Sequence, residues 1–221
     1  MENYLWIAIF AFEKLQIHMP KKHNIANRIY LWMVHHLSNR QLMGLLAAIV
    51  GLAAGFAAVV LKNMVHFISH MLHSFSINEY EYYIYIFSPL IGFLLTILFI
   101  RYVLRKPVGH GVPGILHSIS RNNGFLAKYK TFSSLIASTF TVGFGGSVGL
   151  EGPIVGTGAA IGSNVGRAFR LSRRQVVTLI GCASSGAVAA IFNAPIAGIV
   201  FSLEILMLDL TFSSLIPLLI A

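Results

Sequence analysis

Between Leu42 and Leu61 the chain runs for about 20 residues without a charged side chain, enough for a helix to cross a hydrocarbon layer of about 30 Å. A segment inside lipid must satisfy its own backbone hydrogen bonds, which a helix does within the segment. The rest of the composition agrees. Only 10% of the residues are charged, against about 25% in soluble domains, and the mean hydropathy is +0.76. An integral membrane protein follows, which excludes most soluble-enzyme classes. The 16 Lys and Arg outnumber the 7 Asp and Glu by nine, yet they sit between apolar segments, where cations orient helices. A nucleic-acid partner is therefore not expected.

Residues 1–40 mix a short apolar stretch, Tyr4–Phe12, with Lys14, Lys21, Lys22, Arg28 and Arg40, and read as a cytosolic or interfacial arm. Glu2 and the lack of an early basic run argue against a cleavable signal. Residues 41–221 read as the transmembrane domain. Its first span extends toward Met71, with Gly51 and Gly55 placed for a close helix–helix contact. A loop over His73–Tyr83 carries Glu79 and Glu81 but no Lys or Arg, and a second span, Ile84–Ile100, ends at Arg101, Arg105 and Lys106. The positive-inside tendency puts the N-terminus and these basic ends in the cytosol and the acidic loop outside.

The later apolar segments are shorter and punctuated by Gly and Pro: Val112–Ser120, Phe132–Phe144, Pro153–Phe169, Val176–Phe192 and Pro195–Leu208. Broken helices at membrane depth are tolerated where they line a cavity or are buried in protein. Arg167, Arg170, Arg173 and Arg174 mark a further cytosolic loop, and the apolar stretch from Leu210 is expected to be a span cut short at Ala221.

Gly109-His110-Gly111-Val112-Pro113, Gly149-Leu150-Glu151-Gly152-Pro153 and Asn193-Ala194-Pro195 share one grammar: a small residue, a proline, then an apolar helix. Proline suits the first helical turn, where its missing N–H has no intrahelical partner. Glycine lets backbone approach a ligand, and a helix N-terminus with unused amides attracts anions. Each motif alone is also what a plain helix start looks like. Glu151 adds a carboxylate within an apolar context, which in a membrane is by default a functional-site hypothesis. Ionised, it would occupy an anion's place; protonated, it would leave it. The alternative is a surface glutamate that merely caps its helix.

These residues resemble the CLC family of chloride channels and chloride/proton antiporters. GHGVP at residues 109–113 is similar to the family's GSGIP loop, and residues 145–167 to its GREGP segment and following helix. Residues 181–204 look like its dimer-interface helices. The resemblance runs from about Leu42 to Asp209 and implies an all-α, polytopic fold with broken, tilted helices, the first half of an inverted repeat. It implies Glu151 as the gate, and an anion-binding set of Gly109, His110, Gly111, Val112, Pro113, Gly149, Leu150, Gly152 and Pro153. Chloride or a related anion, protons, the lipid bilayer and a second subunit joined through residues 176–203 are the implied partners, in a bacterial plasma membrane. His110 replaces the usual serine and Leu150 the usual arginine, and Ile205 stands where antiporters carry an inner proton-transfer glutamate. The last departure favours a channel, with a chloride/proton antiporter that uses a different inner proton route as the alternative. Nothing in the sequence matches the second half's GxFxP loop.

No cofactor and no metal are expected. His66 and His70 share a helix face that could hold zinc, but lack carboxylate or cysteine companions, so interfacial histidines are the simpler reading. Cys182 is the single cysteine, a buried thiol by its surroundings. Gly158, Gly162 and Gly166 form a stripe for tight helix packing. A remote alternative, an intramembrane hydrolase using Ser184 or Ser185, requires a base near the serine, whereas no histidine follows His117. An enzyme is therefore not expected.

Overall fold

The computed structural model describes residues 38–74, 81–106, 111–205 and 212–221, all of whose regular elements are helical. The arm expected over residues 1–40 lies almost wholly outside the described residues. The helices are α1 (Asn39–Ser74), α2 (Glu81–Leu98, continued as a π-helix over Phe99–Leu104), α3 (Gly111–Arg121), α4 (Lys130–Gly143), α5 (Glu151–Ala168), α6 (Arg173–Phe192), α7 (Pro195–Ile205) and α8 (Phe212–Ile220).

Local chemistry sets several boundaries. Ser172 and Gln175 form a capping box at the start of α6, and the Ser38 amide donates to Gln41 Oε1 at 3.1 Å in the same Ser-x-x-Gln spacing before α1. Arg105, in the left-handed conformation, closes the π-helical turn with its amide on the Ile100 carbonyl. Each Pro-headed motif opens a helix: Pro113 and Pro153 are the third residues of α3 and α5, and Pro195 is the first of α7. α1, α2 and α6 are long and apolar enough to cross a membrane. With 36 residues, α1 is about 54 Å long at 1.5 Å per residue, so it tilts or projects beyond a layer of about 30 Å.

α6 forms the centre. Gly51 and Gly55 of α1 face Gly186 and Ala190, so α1 and α6 run parallel. Gly158, Gly162 and Gly166 of α5 face Ala183, Ile180 and Val176, so α5 runs antiparallel to α6. Both glycine pairings expected for close helix packing are therefore present. α2 and α4 are antiparallel, joined by Thr96 Oγ1 with Thr141 Oγ1 at 3.0 Å and by Gly92 against Phe144. Gly143, the last residue of α4, meets Ile68 in the last third of α1.

This arrangement collects cations at one end. Arg40 and Arg173 begin parallel helices, Arg167 ends α5, and Arg173 Nη2 donates to the Ile119 carbonyl near the end of α3 at 3.0 Å. Lys106 stands 5.2 Å over the Tyr129 ring, just before α4.

One expectation narrows here. Residues 176–203 are the stretch the resemblance assigns to subunit pairing, but from Val176 to Val188 every residue except Val177 is buried within this chain. α1, α5 and α7 already cover α6. The large apolar side chains that remain outward in this stretch are Phe192 (49% exposed), Ile196 (77%) and Val200 (52%), mostly on α7.

Candidate functional site

α3 and α5 both end at the cationic end and begin away from it. At 11 residues, α3 reaches about 16 Å inward, roughly half of a 30 Å hydrocarbon layer. There its start meets that of α5: a Cβ placed on Gly111 would lie 3.7 Å from the Cα of Gly152. Gly111 has φ +56°, a left-handed conformation that glycine adopts without the Cβ penalty. Two helix N-termini, each positive by its dipole, thus converge on one place.

In α5, the Ile154 amide donates to the Leu150 carbonyl at 3.1 Å, the first turn of the helical ladder. The amides of Glu151 and Gly152 precede that bond, and Pro153 has none to offer. The Glu151 side chain turns back over Gly149: a Cβ there would collide with its carboxylate, with Cδ 3.1 Å away. Gly149 therefore makes room for the carboxylate beside its own helix start, a role that sequence reading did not assign to it. Glu151 and Gly149 are exposed on this chain, and Gly152 and Pro153 are half-buried.

The other expected site residues fall into separate classes. Pro113 is exposed in the first turn of α3. Val112 and Leu150 pack against the hydrophobic core, so they can offer a ligand only backbone. Leu150, where the resembling pattern has arginine, anchors α5 through apolar contact. Gly109 and His110 lie outside the described residues. Ser184 and Ser185 are buried in α6, and Ser184 Oγ makes no hydrogen bond, so the geometry of an activated nucleophile is absent among the described residues. The His66 and His70 rings stack at 6.5 Å on α1, and among the described residues no group of three or more metal-ligating side chains assembles.

A bundle of apolar helices, three of them long and apolar enough to cross a membrane, with the starts of α3 and α5 meeting at Gly111 and Gly152, is the architecture of an α-helical membrane protein. The family model described as voltage gated chloride channel matches residues 91–221, and the chain belongs to this CLC family, whose members are channels and transporters. A ClcB-like protein of Ralstonia nicotianae is 32% identical over 60% of this chain and 32% of its own length. A chloride/fluoride channel protein of Pseudomonas syringae is 28% identical over 80% of this chain and 37% of its own. An H(+)/Cl(-) exchange transporter ClcA of Vibrio vulnificus is 30% identical over 72% and 35%. Among solved structures, a CLC-type fluoride/proton antiporter superposes with a TM-score of 0.64 at 28% identity, over 82% of this chain and 44% of that one. The chain spans about a third of the length of these curated relatives.

Proposed function

We propose that the protein carries chloride or a related halide across a membrane, gated by Glu151 at the junction of α3 and α5. The apposition of Gly111 and Gly152 carries this reading, because it brings two positive helix ends together at membrane depth. Glu151 begins α5 with its carboxylate folded beside that junction. The carboxylate and a halide then compete for the same amides, and protonation releases the carboxylate. The exposure of this face in the present chain is consistent with a site that a second half of the fold completes. The N-terminus lies in the cytosol, since the cationic end collects Arg40, Arg167 and Arg173. Two subunits pair through the outward residues of α7.

Ile205, in the position of the inner proton-transfer glutamate, favours a channel. The likeness to a fluoride/proton antiporter supports exchange as the second reading, with fluoride beside chloride as the candidate ion. Liposomes containing the full-length protein test both. Halide efflux above that of empty vesicles supports transport, and its absence for both ions refutes it. A halide gradient that leaves proton movement unaffected supports the channel, whereas proton accumulation against its own gradient establishes exchange.

A further inference from the structure

Behind the Gly111–Gly152 junction, on its cationic-end side, lies a small cavity between α3, α4 and α5. Gly111, Gly114, Lys130, Ser133, Ser134 and Gly156 line it, with Ile115 and Leu126 as apolar walls. It leaves about 20 Å³ for the centre of a water-sized body, where roughly 10–15 Å³ suffices for one such body. One monatomic particle fits.

The polar side chains that line this space are Lys130 and the hydroxyls of Ser133 and Ser134, each able to donate. Ser133 is 2% exposed, and its Oγ has no hydrogen-bond partner. A buried hydroxyl without a partner is costly, so a ligand that accepts from it is favoured. Lys130 brings a cation and no acceptor. The amides of the first turn of α4 are already engaged: Lys130, Thr131, Phe132 and Ser133 donate to the carbonyls of Ala127, Lys128, Tyr129 and Tyr129. Recognition therefore falls to side chains. A Cβ added at Gly114, one of the lining residues, would meet nothing within 4 Å.

We propose that this cavity is a side-chain-built site for one monatomic anion, in which Lys130 supplies the charge and Ser133 the hydroxyl donor. It stands one step from the junction toward the cationic end, so an anion held there is positioned to pass to or from the Gly111–Gly152 amides. The inference rests on the reading of that junction as the anion's path.

Bromide soaked into crystals of the full-length protein separates the two claims. The expected result is an anomalous peak between Lys130 and Ser133 beside a second at the Gly111–Gly152 junction. Lys130→Met should abolish the first and keep the second. Gly114→Val, which adds bulk at the cavity lining with no atom within 4 Å of the new Cβ, should do the same and guards against a folding defect in the lysine variant. A junction peak with only a water-like, non-anomalous feature at Ser133 overturns this inference and leaves the junction reading intact. Absence of both peaks overturns both.

Discussion

A Cβ on Gly158 would stand 2.7 Å from the carbonyl oxygen of Ala183, so α5 and α6 touch through bare backbone. The contact recurs a turn later, where Gly162 would meet the Cα of Ile180 at 3.0 Å. Side chains added there cannot be accommodated by rotamer changes alone, because the obstructing atoms are main chain. Gly158→Val or Gly162→Val should therefore destabilise by at least the 1–3 kcal/mol typical of overpacking. Gly156→Ala, on the same helix but with only Ser134 Oγ at 3.8 Å, should be tolerated. Thermal unfolding in detergent checks the contrast: a clear fall in Tm for the first two and none for the third.

Arg173 ties the first turn of α6 to the last turn of α3. Its Nη2 donates to the Ile119 carbonyl at 3.0 Å, and a cation at a helix C-terminus also favours the dipole. Arg173 is exposed, so Arg173→Gln should cost only about 1 kcal/mol. Its effect on transport should be larger than that loss suggests, because α3 holds Gly111 against Gly152 by its far end. A reduced halide flux from a well-folded variant is the expected outcome; full flux would show that α3 is held by its other contacts.

Subunit pairing through α7 makes a positional prediction. A cysteine replacing Ile196, the most exposed apolar residue of α7, should form a disulfide between two subunits under mild oxidation. A cysteine replacing Ala187, fully buried in α6, should not. Cys182 is buried and should contribute no background. Failure of Ile196→Cys to cross-link would exclude this face as the interface.

Much of the fold could be read from local grammar. Pro113, Pro153 and Pro195 marked helix starts because proline is favoured in the first turn and each follows a glycine or asparagine break, whereas Pro89 and Pro217, which lack such a break, lie inside α2 and α8. The glycine stripe of α5 announced a close contact because small residues at every fourth position leave one face bare. The partner of a face was less legible. Residues 176–188 are small and apolar, a composition that serves an internal helix and a subunit interface equally well, and only packing against α1 and α5 distinguishes them. The site divides similarly. Glu151 stood out as a carboxylate in an apolar context, while the space Gly149 leaves for it depends on a side-chain rotamer. The pairing of Lys130 and Ser133 with Gly114 across a cavity depends on tertiary packing that no spacing encodes.

The fold-back of Glu151 gives Gly149 a test of its own. Gly149→Ala places a methyl where the carboxylate lies. The carboxylate must move from that position, so flux at neutral pH should rise toward its acidic level. Halide efflux at two pH values measures this. An unchanged ratio would mean that the folded-back position has no bearing on the gate.

The most direct test of the account is Glu151→Gln in the full-length protein, followed by halide efflux from liposomes over a range of pH. In the wild type, acidification neutralises the Glu151 carboxylate, weakens its hold on the junction and raises flux. Glutamine imitates the neutral form at every pH, so the variant should conduct at neutral pH with a nearly flat profile. His110 also carries a titratable imidazole, so His110→Ser is measured alongside and should retain the wild-type slope. A Glu151→Gln protein that reproduces the wild-type pH profile would contradict the claim that Glu151 is the gate.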